Sequence, residues 1–491
     1  MRIIVLLSIL GLAASCTKHN PLSCCTTDAQ CSMFGLDHVT ACSSSSDVCN
    51  ADGVCVAPEC STSADCTSSD APVCVGQLCV AACTGDMDCT GAAGGSYCAS
   101  NGMCVACTMD SQCTAADAPV CDMTTNACRE CKEDSECMNG VCLEADGTCA
   151  PDSQVVYVVA GDGNDSGTCT AAAPCATLGY ALGEITATRN VMHVAGTVSL
   201  GTSTLTITKP IYLEGVNATL EGYPSSGPAI AIPASLPPMT ISGVMLTSTT
   251  GQGVSVAAGA SLRVFDLTAS ASITVSNAAL DVERSTFSNA GVTCSSGTLT
   301  VNASTFSGVV NGTNCQVVVH RSSFTSADET INTMGGLVVI DNSVFIETQA
   351  YGDSIHVMGG APGTTFQFNT VVNIATLSSP SDGQALYCDD AVAVTSNIFA
   401  YGSMHPQNGC TSQYSLYDTV ALSQFTGGTG DKVADSSTFF VDGSSMNFHL
   451  APGSPALMSA ETGLPVTVDY EGNPRPNPVG STPDIGAYEA P

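Results

Sequence analysis

A set of polar side chains recurs at nearly constant spacing and could support acid–base chemistry. Glu283, Asn302, His320 and Asp341 are separated by 19, 18 and 21 residues, and each follows a short alternating apolar stretch. If each stretch is one turn of a repeating fold, these side chains form one mixed column at a bend. A carboxylate beside an imidazole suits general acid–base catalysis, which makes His320 and Asp341 the candidate residues. The alternative is a solvated polar bend without a chemical role.

Two acidic motifs are further candidates. Asp389 and Asp390 follow a cysteine and faintly resemble the paired aspartates of polygalacturonases, but the companion N-T-D, G-H-G and R-I-K motifs of that family are missing. Asp162, Asn164 and Ser166 lie in a D-x-N-x-S-G segment that partly matches a calcium-binding loop, although the distal Glu of such loops is absent. The same segment also fits the usual opening of the fold that the rest of the chain indicates.

The elements that must position these residues repeat with a period near 20. Short alternating strands end at a polar bend and a closing apolar residue, which predicts an all-β, right-handed parallel β-helix like the solenoid of pectate lyases, with rungs over 186–445. A strand and a helix capped by Thr177, within 151–185, are expected to cover its first turn. The copies align a hydroxyl and amide ladder of Ser285, Ser304, Ser322, Ser343, Thr370 and Asn397, with closing residues Phe287, Phe306, Phe324, Phe345, Val372 and Phe399.

Six cysteines lie in this second region, and their spacing agrees with the β-helix. Cys169 and Cys175 flank one loop. The other four fall into two pairs whose members are 21 and 22 residues apart, which is one turn of the solenoid. One turn brings such positions to the Cα separation that a disulfide needs, so three bonds are predicted. They are Cys169–Cys175, Cys294–Cys315 and Cys388–Cys410.

The segment 24–150 is a different, cysteine-rich region of about five modules of about 24 residues each. A module of that size cannot bury a core, so two disulfides per module are expected, with their connectivity left open. An Asp recurs three residues after the opening cysteine at Asp28, Asp86, Asp110 and Asp134, as a turn former or a calcium ligand. The well-defined cysteine sets are 60/66/74/79, 83/89/98/104, 107/113/121/128 and 131/137/142/149, with a looser copy at 25/31/42/49.

The N-terminus indicates export. Residues 1–15 combine one early arginine, a short apolar run and small residues, as in a secretory signal peptide. The last of these residues and Cys16 resemble a bacterial lipobox, in which the cysteine is lipidated, although Ala13 occupies the usual leucine position. Residues 16–23 would then be a tether. Thr17 is not the Asp associated with retention in the inner membrane, so an outer-membrane, surface-exposed location is expected.

The C-terminal segment 446–491 carries three motifs, L-A-P-G-S-P-A, D-Y-E-G-N-P-R and D-I-G-A-Y-E. In these motifs the chain resembles the bacterial choice-of-anchor (Q type) β-helix surface proteins, and the resemblance extends over about residues 155–491. It implies a surface protein with a β-helix and a capping end segment. Because no sorting tail follows the motifs, the lipobox is expected to be the anchor.

The composition of the chain limits the functions that are compatible with it. The formal net charge is −33 and charged residues make up 11% of the chain, which argues against nucleic-acid binding. The favoured hypothesis is a non-enzymatic lipoprotein whose cysteine-rich stalk presents the β-helix for adhesion, glycan binding or envelope structure. Its partners would be the membrane, through the lipid, and a polysaccharide or another surface protein. The alternative is a calcium-dependent polysaccharide lyase or glycosidase, which rests on fold analogy. No cofactor is expected, with calcium the one alternative kept open.

Overall fold

The structure is a computed structural model that describes residues 48–49, 55–56 and 59–490, except 69–70, 72, 76, 81, 93, 139, 327–328, 349–353, 375–384, 402–406 and 420–426. The predicted signal peptide 1–15, Cys16 and the tether 16–23 lie outside the described residues, as do Asp28 and three cysteines of the looser repeat. The chain forms two compact units, Met1–Met138 with Asp146–Cys149, and Asn139–Ala145 with Ala150–Pro491. No helix among the described residues is long and apolar enough to cross a membrane.

The first unit is a series of disulfide-bonded modules. In each of the three modules that open at Cys60, Cys83 and Cys107, the first cysteine bonds the third and the second bonds the fourth. A short 3₁₀ turn lies between the first two cysteines, and a small antiparallel hairpin carries the last two. The turns are Ser63–Asp65, Asp86–Cys89, Asp110–Gln112 and Asp134–Glu136, and the strands are Val48–Cys49, Cys55–Val56, Val73–Val75, Leu78–Val80, Tyr97–Cys98, Cys104–Val105, Val120–Asp122 and Ala127–Arg129. A further strand pair, Gly140–Leu143 with Thr148–Pro151, is divided between the two units.

One side-chain hydrogen bond recurs in these modules. Asp86 Oδ1 accepts the backbone N–H of Cys98 at 2.8 Å, and Asp110 Oδ1 accepts that of Cys121 at 2.8 Å. In the first module, Ser63 replaces the Asp and its hydroxyl oxygen accepts the N–H of the third cysteine at 2.9 Å. The repeated Asp therefore joins the 3₁₀ turn to the hairpin through a bond that spans 11 or 12 residues, in place of the local turn that the sequence indicated.

The second unit confirms the predicted fold class, because its strands pair in parallel from turn to turn and build a β-helix with three faces. We call the faces sheets A, B and C. Sheet A contains Val155–Val159, Ser261–Phe265, Ala279–Glu283, Thr298–Asn302, Gln316–His320, Val338–Asp341 and Thr365–Gln367. Sheet B contains Thr268–Ala269, Thr286–Phe287, Thr305–Phe306, Ser323–Ser326, Val344–Glu347, Thr370–Asn373, Ile398–Ala400, Leu416–Asp418 and Lys432–Ala434.

Sheet C completes each turn, and several long strands bend from one sheet into the next. Val191–Gly201, Tyr212–Gly222 and Met239–Ser248 run from sheet A into sheet B, whereas Tyr387–Thr395 and Gln407–Gln413 run from sheet C into sheet A. Sheet C otherwise contains Leu205–Thr206, Ile230–Ile232, Gln252–Val256, Ser272–Ser276, Val292–Ser295, Val310–Thr313, Ile331–Met334 and Ile355–Met358.

The three disulfides predicted for residues 151–491 are present in this unit. Cys169–Cys175 closes a loop, and Cys294–Cys315 and Cys388–Cys410 join neighbouring turns. The α-helix Leu178–Glu184 follows the first strand, and Thr177 caps it by accepting the N–H of Tyr180. Leu178 and Ala181 on this helix are buried against the first turns, so the helix covers apolar side chains that water would otherwise reach.

A column of stacked rings fills the interior beside sheet B. The rings of Phe287, Phe306, Phe324 and Phe345 are nearly parallel, with centroids 4.6, 5.1 and 5.0 Å apart. In the next turn the paired residue is Val371. The predicted alignment placed Val372 there and was therefore wrong by one residue, because Phe368 occupies the bend position of that turn.

A polar ladder runs beside this column at the bend between sheets A and B. Each backbone N–H in the column donates to the side-chain oxygen one turn ahead, at 2.8 to 3.2 Å from Ser285 to Ser415. Asn369, and not the predicted Thr370, belongs to the ladder, since its Oδ1 accepts the N–H of Ser343. Thr370 points outward, where its hydroxyl accepts the N–H of Ala487. The ladder satisfies buried backbone donors, as predicted.

The residue just before the ladder in each turn has a left-handed backbone. From the fifth turn of sheet A onward these residues have φ between 47° and 61°, and none is glycine. Their N–H groups donate to the next turn, as in Arg284 to the Asn302 carbonyl and Ala303 to the His320 carbonyl. The regular stacking thus supports a conformation that L-residues ordinarily avoid. The residues are Asp266, Arg284, Ala303, Arg321, Asn342, Phe368, Ser396 and Tyr414.

The C-terminal segment covers the outer face of sheet B in the last turns. There the outward side chains are apolar, for example Val344, Ile346, Ile398 and Leu416, and they form one buried cluster with residues of the segment. Residues 436–445, which precede the segment, form 3₁₀ turns at Ser436–Thr438 and Gly443–Ser445 and the strand Phe440–Asp442, which pairs with Asn447–Leu450 of the segment. The apolar residues that the two stretches contribute to the cluster are Phe439, Phe440, Phe448, Leu450, Ala456, Ala460, Ile485, Ala487 and Tyr488.

A buried charge network holds this segment in its fold. Arg475 donates to the carbonyls of Asp484 and Gly486 at 2.7 and 2.9 Å, pairs with Glu489 at 3.2 Å, and lies over the ring of Phe368. The side chains of Arg475 and Glu489 are 0% and 1% exposed. Arg475 of the second C-terminal motif and Asp484, Gly486 and Glu489 of the third therefore belong to one structural network.

Candidate functional site

The main candidate site is a cleft of about 700 Å³ on the outer face of sheet A. Its floor consists of outward side chains from successive strands, and one wall is Pro465–Val468 of the C-terminal segment. The floor residues point outward because their neighbours along each strand, such as Val319 and Ile340, are buried in the core. The residues lining the floor are Asp281, Glu283, Thr300, Asn302, His320, Arg321, Val339, Asp341, Asn342, Thr365 and Gln367.

The structure brings the predicted mixed column together in this cleft. Glu283 is paired in register with Asn302, Asn302 with His320, and His320 with Asp341. Successive members are one strand spacing apart, about 4.8 Å. His320 and Asp341, the two candidates for acid–base chemistry, are therefore direct neighbours in the sheet.

His320 and Asp341 form a hydrogen-bonded pair. His320 Nδ1 lies 2.8 Å from Asp341 Oδ2, and the imidazole side chain is 38% exposed. The hydrogen bond with Asp341 raises the pKa of His320 above its ordinary value of 6.5, against a smaller opposing effect of burial. The carboxylate orients the ring, so that its second nitrogen could accept or deliver a proton near neutral pH.

This pair predicts a pH dependence of stability. The pKa of His320 is higher in the folded chain than in the unfolded chain. The contribution of the His320–Asp341 pair to folding stability is therefore complete below the unfolded pKa of about 6.5 and is lost as pH rises through the folded pKa. Asp341→Asn should lower the pKa of His320 in an NMR titration of the ring. The stability difference between wild type and Asp341→Asn should be larger near pH 5.5 than at about pH 8.5. An equal or higher His320 pKa in Asp341→Asn would contradict this assignment.

The other charged groups of the cleft include residues that the sequence did not single out. Glu283 is paired with Arg263 at 2.8 Å, and Arg321 donates from Nε to the Tyr470 carbonyl at 3.3 Å. Burial raises the pKa of Asp281, which lies on the same face of its strand as Glu283. The lining thus holds three carboxylates against one arginine, besides His320.

The remaining predicted residues do not join this cleft. Asp389 is exposed, at an irregularity of the Tyr387–Thr395 strand between Cys388 and Val392, and it does not line the cleft. The side chain of Asp390 lies outside the described residues.

The candidate calcium loop is exposed at Asp162, Asn164 and Ser166. Its neighbour Asp165 has a clear structural role, because its carboxylate accepts the N–H of Ala176, and both the N–H and the hydroxyl of Thr177. Within the described part of the chain, groups of three or more His, Cys, Asp or Glu that could hold a metal consist of module cysteines, whose sulfurs are in disulfides.

Comparison with known proteins gives a structural likeness. No family model matches the chain, and no curated protein matches it. Five chains of solved structures match. One is the crystal structure of pectate lyase Pel9A, whose sequence is 15% identical to this one. The structural alignment covers 69% of this chain and 96% of the Pel9A chain, with a TM-score of 0.42.

Proposed function

We propose that this chain is an exported envelope or cell-surface lipoprotein that binds a glycan in the cleft of sheet A, without cleaving it. In this proposal Cys16 carries the lipid, the cysteine-rich unit is a stalk, and the C-terminal segment is of the choice-of-anchor type. The observation that carries the proposal is the His320–Asp341 cleft itself. The disulfides support export, because they form in oxidising compartments.

The shape and lining of the cleft suit a sugar chain. Its volume of about 700 Å³ lies within the range of small-ligand sites. Carboxylates, amides, hydroxyls and an imidazole follow one another along the helix axis at the strand spacing of about 4.8 Å. Such a row of donors and acceptors can bind several hydroxyl groups of an extended chain, while Val339 and the Pro465–Val468 wall offer apolar contact.

The charges of the cleft favour neutral or amino-sugar glycans over polyuronates. Asp281, Glu283 and Asp341 would repel the carboxylates of a polyuronate, and the Nε of Arg321 is already engaged by the Tyr470 carbonyl. The net charge of −33 adds a long-range repulsion of acidic polymers.

A binding experiment tests the proposal. The purified chain is titrated with neutral, amino-sugar and uronate oligosaccharides. Each lost polar contact of about 1.4 kcal/mol weakens binding tenfold, so His320→Ala and Asp341→Asn should each weaken a bound glycan about tenfold.

The control uses a matched pair outside the cleft. His449 lies 3.0 Å from Glu471 and is half exposed, so His449→Ala removes a similar His–carboxylate pair and should leave binding unchanged. Equal losses in the cleft and control variants, or no binding of any oligosaccharide, would refute the assignment of the cleft.

A second candidate is a calcium-dependent polysaccharide lyase or glycosidase, which the His320–Asp341 pair favours because a carboxylate-oriented imidazole can act as a base. The same mixtures, with and without calcium, can be followed by size exclusion and by the absorbance of unsaturated uronate. If the wild type shortens the polysaccharide and His320→Ala does not, the enzymatic function replaces the binding proposal.

A further inference from the structure

Five methionines in the described part of the cysteine-rich unit are exposed to solvent. Met87, Met103, Met109, Met123 and Met138 are 89%, 58%, 54%, 68% and 84% exposed. Methionine is an apolar residue that ordinarily fills gaps in a core. The second unit has buried methionines, such as Met192 and Met239 at 0% and 3% exposure, and its exposed ones, Met245, Met334, Met446 and Met458, are spread over a much longer stretch than 87–138. The modules therefore place their thioethers in solvent.

The exposed methionines extend their side chains into solvent, while the backbone carbonyls of Met87, Met103 and Met109 accept hydrogen bonds within the turns. Met87 lies within the 3₁₀ turn Asp86–Cys89, and Met109 directly precedes the next such turn. Met103 and Met123 lie at the ends of hairpins. The modules are held instead by disulfides and by the bonds from the aspartates to the hairpin N–H groups.

The sulfur of these methionines is in the reduced thioether form, whereas the sulfur of the module cysteines is in disulfides. In the modules that open at Cys83 and Cys107, every cysteine is in a disulfide and is not available to react as a thiolate. A thioether reacts with hydrogen peroxide by attack of sulfur on one oxygen. The S–O bond forms as the O–O bond breaks, sulfur is oxidised by two electrons, and the products are a sulfoxide and water.

We propose that the cysteine-rich modules are an oxidant trap, in which the exposed methionines consume peroxides by conversion to sulfoxides while the modules keep their fold. Conversion of a buried methionine places a polar group in a core and disrupts packing. At these solvent-exposed positions the sulfoxide remains in water, so its polarity does not disturb the disulfide-bonded framework.

The experiment treats the purified full-length chain, disulfides intact, with graded hydrogen peroxide and follows each methionine by peptide mass spectrometry. The five module methionines should oxidise at least about tenfold faster than Met192 and Met239, since susceptibility follows exposure. The oxidised modules should keep their disulfides and their resistance to protease. Equal rates for module and core methionines, or oxidised modules that become protease-sensitive, would overturn the proposal.

A variant series tests the trapping itself. Replacement of Met87, Met103, Met109, Met123 and Met138 by leucine should remove the rapid peroxide consumption of the modules that carry them. The matched control replaces four exposed methionines of the second unit by leucine, namely Met245, Met334, Met446 and Met458. The control should retain the rapid oxidation at the five module sites. Unchanged peroxide consumption in the five-site variant would also overturn the proposal.

Discussion

Arg475→Ala is expected to destabilise the chain by about 3–5 kcal/mol, because the substitution breaks a buried ion pair and leaves its partner without a counter-charge. The Arg475 side chain is fully buried and bonds two carbonyls of the last motif as well as Glu489. Its removal should release the C-terminal segment from sheet B and uncover the apolar outward residues of the last turns. The cleft would lose its Pro465–Val468 wall at the same time.

Chemical denaturation and limited proteolysis check this prediction. Arg284→Ala is the matched control, since Arg284 is 56% exposed and pairs with Asp266 at 2.7 Å on the surface. A surface ion pair contributes about 0–1 kcal/mol, so the control should remain close to wild type. Comparable losses of stability in the two variants would show that the contribution of Arg475 to folding stability does not depend on its burial.

Phe324→Ala should cost about 3–5 kcal/mol, the usual range for removal of a buried aromatic ring. Phe324 is fully buried between Phe306 and Phe345, with centroid distances of 5.1 and 5.0 Å, so the deletion opens a cavity in the middle of the ring column. Turns on both sides lose contact with each other there. We therefore expect a lower denaturation midpoint together with easier proteolysis between the two halves of the β-helix.

Phe324→Leu provides the comparison for this cavity. Leucine restores most of the volume, and swaps that nearly conserve volume usually cost less than about 1.5 kcal/mol. The order wild type, Phe324→Leu, Phe324→Ala is expected in urea denaturation. Equal stability of the leucine and alanine variants would mean that ring stacking, and not filled volume, is the main contribution of Phe324.

Much of the β-helix could be predicted because its constraints repeat. Alternation within a strand fixes which side chains face outward, and a nearly constant turn length fixes which residues are neighbours, so the column from Glu283 to Asp341 was predictable. The error at Thr370 arose in a longer turn, where two successive polar residues, Asn369 and Thr370, both fit the pattern. The structure distinguishes them, because Asn369 accepts the N–H of Ser343 whereas Thr370 pairs in register with Val344 and accepts the N–H of Ala487.

The wall of the cleft could not be predicted, because it depends on contacts between distant parts of the chain. Arg321 meets the Tyr470 carbonyl across 149 positions of sequence, and no periodicity connects the two. Asp281 was overlooked because it lies one outward position before Glu283, outside the column on which the alignment was centred. The sequence shows Arg475, Asp484 and Glu489 as members of two motifs, but it does not indicate that these residues contact one another in a buried network.

The row of left-handed residues between sheets A and B has a consequence for how such a chain can change. Eight consecutive turns hold this backbone conformation with Asp, Arg, Ala, Arg, Asn, Phe, Ser and Tyr in turn. The backbone geometry is thus compatible with acidic, basic, small, amide and aromatic side chains alike. Because Arg321 and Asn342 of this row also border the cleft, substitutions here can alter the charge and shape of its lining while the strand register stays fixed. For evolution and for design, the bend between sheets A and B therefore offers positions where the side chain can be exchanged while the backbone stays the same.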